Sequence, residues 1–302
     1  MSNLVPLDIG LTTGLIFGGA VLALALAFRL LHFPDLTIEG SLPLGASIYA
    51  VTLKAGSPVL VAIFFACLAG SMAGGLTAFL HVRFKLNKFL AGIIVVAICY
   101  SLSLRAMGAS NIGLLQSASV YDVVSGLDGL FGTSYHPGTI LMLSVLTTLA
   151  CLLLVVVLSS RRGIKLRAAG SNPEYARSLG INVSINLIVG LAITNALSAL
   201  SGALLASFQG FADVSLGQGV LILALVAMTI GERILPDRGL SYQTFVILAA
   251  IIGSLIYQVI VSYAVRFGLA PTDLKLATAL LVLLVVALRV SRNGELFVEE
   301  AQ

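Results

Sequence analysis

The chain has 302 residues, of which 59% are hydrophobic and only 10% charged, with a mean hydropathy of +1.08. Soluble domains carry about a quarter of their residues as charged side chains, so the composition excludes an ordinary soluble domain and points to a chain housed mostly in lipid. The net charge of +4 is what retention of Lys and Arg on the cytoplasmic side of a membrane produces; no basic run carries interleaved aromatics, so nucleic acid is not an expected partner.

The first apolar run, about 9 to 31, follows an N-terminus (MSNLVPLDIG) without the positive n-region of a secretory signal and exceeds an h-region in length, so it reads as a retained transmembrane helix. Crossing about 30 Å of hydrocarbon takes about 20 apolar residues. Further segments that reach or approach this run over 38 to 53, 57 to 80, 88 to 104, 138 to 160, 185 to 209, 216 to 234, 242 to 265 and 273 to 290. The second is short, and the Gly and Pro of DLTIEGSLPLGA predict a broken or re-entrant helix, a form tolerated at membrane depth only inside protein or beside a water-filled cavity. Polar residues at such depth mark pathways or gates. The candidates are Thr37, Glu39 and Ser41 at this first break, Asp213, Ser215 and Gln218 ahead of the seventh segment, and Asn195, which shares one face of helix 185 to 209 with Ser198 and Ser201. Asp35 and Asp213 also stand where helix N-caps stand, while Gly70, Gly74, Gly75 and Gly202 read as close helix contacts.

With the N-terminus outside, Arg29, Arg83, Lys85, Lys88, Arg161, Arg162, Lys165, Arg167, Arg177, Arg233, Arg238, Arg289 and Arg292 fall on the cytoplasmic side, leaving Lys54, Arg105, Arg266 and Lys275 outside. That asymmetry satisfies the positive-inside rule. It makes 161 to 184 cytoplasmic and 105 to 137 the largest external loop, either a cap over the pathway or a solvated connector.

FPDLTIEGS (33 to 41) aligns with FADVSLGQG (211 to 219), Phe33 on Phe211, Asp35 on Asp213 and Thr37 on Ser215. Each copy follows a long helix and opens the next, and the derived topology points the two in opposite directions. The expected fold is an all-α membrane protein of about nine transmembrane helices forming one domain over 1 to 302. Repeat one covers about 9 to 104, the connector helix 138 to 160, the cytoplasmic loop 161 to 184 and an inverted repeat two about 185 to 290. Inverted repeats recur in transporters, with the pathway at the repeat interface.

Cys67, Cys99 and Cys151 lie in apolar segments and are odd in number, so they read as small core residues rather than a disulfide framework. His32, His81 and His136 have no second ligand at helical spacing, and no G-x-S-x-G elbow is present, so neither a metal, another cofactor nor catalysis is expected.

The stretch RRGIKLRAAGSNPEYARSLGINV, 161 to 183, interrupts this apolar chain. Within it SNPEYARSLG has the grammar of a short helix: Asn172 as N-cap, Pro173 at N1, Glu174 in the positive first turn, Arg177 near the negative last turn and Gly180 as terminator. At about 10 Å it is too short to stand alone, and the residues by themselves leave a plain connector open. LRAAGSNPEYARSLGINV, however, closely resembles the cytoplasmic loop of permease subunits from ABC importers of the branched-chain amino acid and ribose type. There an Arg-Ala-x-Gly-x-Asn-x-x-x-Ala-x-x-x-Gly-Ile pattern forms the coupling helix, matched here by Arg167, Ala168, Gly170, Asn172, Ala176, Gly180 and Ile181. SALSGALLASFQGFADVSLGQG resembles the helix and loop that follow, and DLTIEGSLPLGA is similar to a branch linked to aromatic amino acids. The resemblance implies a multi-pass subunit of the inner (plasma) membrane, a homodimer forming the pathway for an amino acid, sugar or nucleoside. It further implies an external solute-binding protein and cytoplasmic ATP-binding subunits, the latter contacted through Arg167, Asn172, Pro173, Glu174, Tyr175, Ala176, Arg177 and Gly180. The sequence holds no G-x-x-x-x-G-K-[ST] phosphate loop, so ATP hydrolysis is expected on another chain. The competing reading is an ion-coupled secondary transporter with the same inverted repeat; such carriers keep a carboxylate or ion site in mid-membrane, and no span here has a charge at its centre.

Overall fold

A computed structural model describes residues 5–115, 119–122, 137–236 and 239–268. The chain runs as α1 (Val5–Ala25, continued by a π-helical turn Leu26–Leu30), α2 (Ile38–Lys54), α3 (Val59–Phe84), α4 (Lys88–Met107), β1 (Asn111–Gly113), α5 (Pro137–Ser159), α6 (Arg161–Ser171), α7 (Pro173–Ser178), α8 (Val183–Gln209), β2 (Phe211–Asp213), a 3-10 turn (Val214–Gly217), α9 (Val220–Ile234) and α10 (Tyr242–Arg266).

Seven helices among the described residues are long and apolar enough to cross a membrane: α1 with its π turn, α3, α4, α5, α8, the Val214–Ile234 stretch and α10. This chain is therefore a multi-pass membrane protein. The ninth expected segment, 273 to 290, lies outside the described residues. The second expected segment forms α2, whose 17 residues span about 26 Å, short of the hydrocarbon thickness. α2 is also unbroken, correcting the expectation drawn from its Gly and Pro. Pro43 lies inside it and removes the donor that would meet the carbonyl of Glu39; Gly217 packs against that carbonyl, where any side chain at 217 would collide. The break comes earlier, at residues 31–37, where His32 takes φ +48 and its carbonyl accepts from Lys88 Nζ at 2.9 Å.

Burial orders the helices. α1 is mostly buried (67%) against 11% for α5, so α1 is the central helix and α5 lies at the edge. Val21, Leu22 and Leu24 of α1 share one core with Leu191 of α8, Ala224 and Ala227 of α9 and Ile247 of α10. Small residues bring backbones together: Gly70 and Gly74 of α3 meet Leu191, Asn195 and Ala199 of α8, Gly202 of α8 meets Leu42 of α2, and Gly231 of α9 meets Ala249 and Gly253 of α10. Gly75 differs, its nearest neighbour being Ile188 at 4.0 Å.

The helix ends that the basic residues group together are joined in space. At one end Phe33 packs edge-on to His81, Arg29 pairs with Glu232 and Arg167 donates to Gln243. At the other, β1 and β2 pair antiparallel, Asn111 with Asp213 and Gly113 with Phe211. Described parts of the 105 to 137 loop cap α8 at that same end: Tyr121 donates to the Leu204 carbonyl at 3.1 Å, and Ser207 Oγ accepts from Val120 N. The two aligned stretches make the same local turn, with Asp35 Oδ1 accepting from Thr37 N at 2.9 Å and Asp213 Oδ1 from Ser215 N at 2.6 Å.

Candidate functional site

The polar segment between α5 and α8 forms two helices, where the sequence suggested one. α6 is capped by Ser160, whose hydroxyl accepts from Gly163 N at 3.3 Å, and buries Gly163, Leu166 and Ala169, residues three apart on one face. Its basic residues masked this face in the sequence; Ser160 with an apolar residue at every third position was the readable signal. Gly170 lets α6 sit directly on the backbone of Leu30 and Leu31, at the π turn of α1, and a Cβ there would overlap it. Arg167 turns inward, donating to Gln243 at the start of α10, while Gln243 Nε2 donates to Ser159 Oγ at 2.9 Å. One glutamine thus ties together α5, α6 and α10.

α7 follows the expected grammar. Asn172 Oδ1 accepts from Tyr175 N at 3.0 Å, Pro173 opens the helix, and Gly180 at φ +74 ends it with its N–H on the Arg177 carbonyl. Pro173, Glu174, Tyr175, Arg177 and Leu179 face outward, Tyr175 at 61% and Leu179 at 59% exposed. Ala176 is completely buried, so it seats α7 on the protein and lies beneath the exposed face.

The first break forms a buried polar cluster. Asn195, the thirteenth of the 27 residues of α8, donates from Nδ2 to Asp35 Oδ2 at 2.6 Å and to the Leu191 carbonyl at 3.0 Å. Thr37 Oγ1 bonds Thr77 Oγ1 of α3 at 2.6 Å, and Ser198 donates to the Ile38 carbonyl at 3.2 Å. Asp35, Thr37, Ser41 and Asn195 are buried, and Asn195 Oδ1 is buried with no partner. Asp35 is thus buried beside Asn195 of a membrane-crossing helix, although it belongs to the segment between α1 and α2 and to no span itself. Residues 31–37 run back into the protein from the end of α1 and carry Asp35 to the level of Asn195, a detour that hydropathy along the chain does not reveal.

The second break reaches the first. Half-buried Glu39, in the first turn of α2, accepts from Gly219 N at 2.9 Å through Oε1. Asp213 caps the 3-10 turn leading there, whereas α9 itself starts at Gly219 (φ +85). Ser215 and Gln218 are exposed and stand apart from the Asp35 cluster. Of the sequence candidates, Thr37, Ser41 and Asn195 converge on the buried cluster, Glu39 joins the first break to the second, Asp213 positions the second break, and Thr77 is an addition that only the fold brings in. Among the described residues no group of His, Cys, Asp and Glu could hold a metal ion.

Residues 7–287 match the family model for the branched-chain amino acid transport system permease component. The chain is 36% identical over 278 residues to a tyrosine transport system permease protein of Clostridioides difficile, covering 92% of this chain and 89% of the relative. It is 30% identical to an uncharacterized protein of Rickettsia prowazekii, covering 85% of this chain and 88% of that one. It is 27% identical to the autoinducer 2 import system permease protein LsrD of Yersinia enterocolitica, covering 89% and 79%. No solved structure matches the chain.

Proposed function

Since the chain belongs to the family of branched-chain amino acid transport system permease components, we propose that it is the membrane-spanning subunit of an ATP-driven importer, acting as a homodimer. A solute-binding protein delivers the cargo from outside, and ATP-binding subunits on separate chains dock on the cytoplasmic side. The cargo is a small polar solute; the name of the 36% identical relative favours an amino acid, with sugars and nucleosides as the other classes. The observation that carries this reading is α7, a capped six-residue helix whose exposed Glu174, Tyr175, Arg177 and Leu179 stand on a firmly seated base at the end of the crossing helices. A helix that short has no stability of its own, so a rigid exposed placement suits a mechanical contact. In the same reading the two four-helix units form an inverted repeat, supported by the matching Asp35 and Asp213 turns at opposite ends and by the meeting of the breaks at Glu39 and Gly219. The pathway then passes Thr37, Glu39, Ser41, Asn195, Asp213, Ser215 and Gln218.

The competing carrier reading draws on Asp35, a buried carboxyl bonded to Asn195 of a membrane-crossing helix, since ion-driven carriers use carboxyls inside the membrane. Proteoliposomes holding the permease, its ATP-binding subunits and its binding protein separate the two. Uptake that needs enclosed ATP and survives a protonophore supports the importer; uptake driven by an ion gradient without ATP overturns it.

A further inference from the structure

Arg29 and Glu232 form a two-pronged ion pair, Nε to Oε1 at 2.7 Å and Nη2 to Oε2 at 2.6 Å. Three features of its setting are unusual. Arg29 lies on the π-helical turn Leu26–Leu30, a departure from α-helix that recurs at functional positions. Glu232 occupies the last turn of α9, where the helix dipole disfavours a carboxylate, so helix stability does not account for it. And the pair joins α1 to α9, elements from opposite halves of the chain, at the end where α6 is seated.

The segment bearing α7 touches both sides of this pair. Gly170 rests on the backbone of Leu30 and Leu31, the residues next to Arg29, and Arg167 grips Gln243 at the start of α10, the helix that follows Glu232 after the turn. Backbone-on-backbone contact at Gly170 leaves no flexible side chain to absorb a shift of α6. A displacement of α6 against α10 therefore moves Arg29 relative to Glu232. The fork geometry of guanidinium and carboxylate is directional, so the pair is made or broken over a small movement.

We propose that Arg29–Glu232 is the latch of the cytoplasmic end, holding α1 to α9 in the closed form and released when the docked ATP-binding subunits shift α6. Arg29 and Glu232 are positioning residues; neither needs to touch cargo. The inference rests on the importer reading for what drives the release, but not for the latch itself.

The test is a charge-swap cycle: Arg29→Glu, Glu232→Arg and the double exchange. In the complete importer in proteoliposomes, each single variant raises cargo-independent ATP hydrolysis relative to transport by about fivefold, the low end of coupling between sites, and the double exchange recovers most of the wild-type ratio. In the permease alone in nanodiscs, hydrogen exchange over residues 26–33 and 230–236 rises in each single variant and returns in the double exchange. A packing role without latching would lower thermal stability but leave transport per ATP unchanged. The latch is overturned if that ratio is unaffected in both single variants, or if the double exchange is as uncoupled as they are. The exchange measurement needs neither ATP nor cargo, so unchanged exchange in all three variants overturns the latch even where the importer reading stands, and rescue there supports it where that reading falls.

Discussion

Gly74 and Gly75 are neighbours on α3 with opposite surroundings, and the same substitution at each is expected to have opposite effects. A Cβ at position 74 would overlap the carbonyl of Leu191 and lie 2.6 Å from Asn195 Nδ2, whereas at position 75 the nearest atom is 4.0 Å away. The first obstacle is backbone and cannot turn aside, so Gly74→Ala must push α3 from α8 or displace Asn195 from Asp35. Overpacking costs about 1–3 kcal/mol, and loss of a hydrogen bond to a buried carboxyl adds about 1–2 kcal/mol. Gly75→Ala meets nothing and gains up to about 1 kcal/mol of helix propensity. The difference between the variants is thus about 2–6 kcal/mol if both costs apply, read as apparent melting temperature in detergent with both proteins at equal concentration. Gly74→Ala should melt several degrees below the wild type and Gly75→Ala at or above it. Equal effects at the two positions would refute the packing of α3 on α8 and, with it, the placement of Asn195.

At α7, Glu174→Lys or Arg177→Glu leaves the permease folded, since exposed substitutions cost within about 0.5 kcal/mol, but lowers co-purification of the ATP-binding subunits and transport per ATP. Normal values of both would make the segment a connector. Ala176→Leu, beneath that face, costs about 1–3 kcal/mol of stability by lifting α7 off its seat, so it lowers the melting temperature where the charge reversals do not. Asp35→Asn costs about 1–3 kcal/mol, because its amide oxygen can still accept from Thr37 N but its Nδ2 then faces Asn195 Nδ2, donor against donor. Asp35→Leu strands two buried donors at about 1–3 kcal/mol each, and thermal unfolding of the pair checks the contrast. Glu39→Gln keeps an acceptor for Gly219 N but loses the charge. Uptake half-saturation is expected to shift roughly tenfold, the equivalent of about 1.5 kcal/mol for a hydrogen bond to a charged group, at unchanged melting temperature; unaltered uptake removes Glu39 from the pathway.

What the sequence revealed followed from local rules. Among the described residues, long apolar runs became helices within a few residues of their expected bounds, and α7 was legible to within one residue because Asn172, Pro173 and Gly180 act only on their own helix. What it hid depended on distant neighbours. Pro43 looked like a break because its cost is local, while Gly217, which packs on the freed carbonyl, comes from far along the chain. α6 looked like a loop because four basic residues outweigh a face whose apolar character lies in Gly163, Leu166 and Ala169. Asp35 read as a helix cap because that role is local, while its bond to Asn195 comes from far along the chain. The polar stripe of Asn195 and Ser198 was visible, and its partners Asp35 and Ile38 were not.

The buried break and the exposed α7 are linked through few residues. α6 bears on Leu30 and Leu31 through Gly170, and Gly190 of α8 closes on the Leu31 side chain from the membrane side. From Leu31 the chain enters the irregular stretch that ends at Thr37, held by the Phe33 N bond to the Ala27 carbonyl, the Lys88 bond to the His32 carbonyl and the Asp35 bond to Asn195. Glu39 follows two residues after Thr37 and already touches the second break. Unlike a helix of the same length, this stretch carries no continuous ladder of backbone hydrogen bonds, and its ties run to α1, α3, α4 and α8 instead. In the importer reading, a push at the surface is therefore expected to travel from the seat of α6 along residues 31–37 to the Asp35 cluster and, through Glu39, to the second break at Gly219.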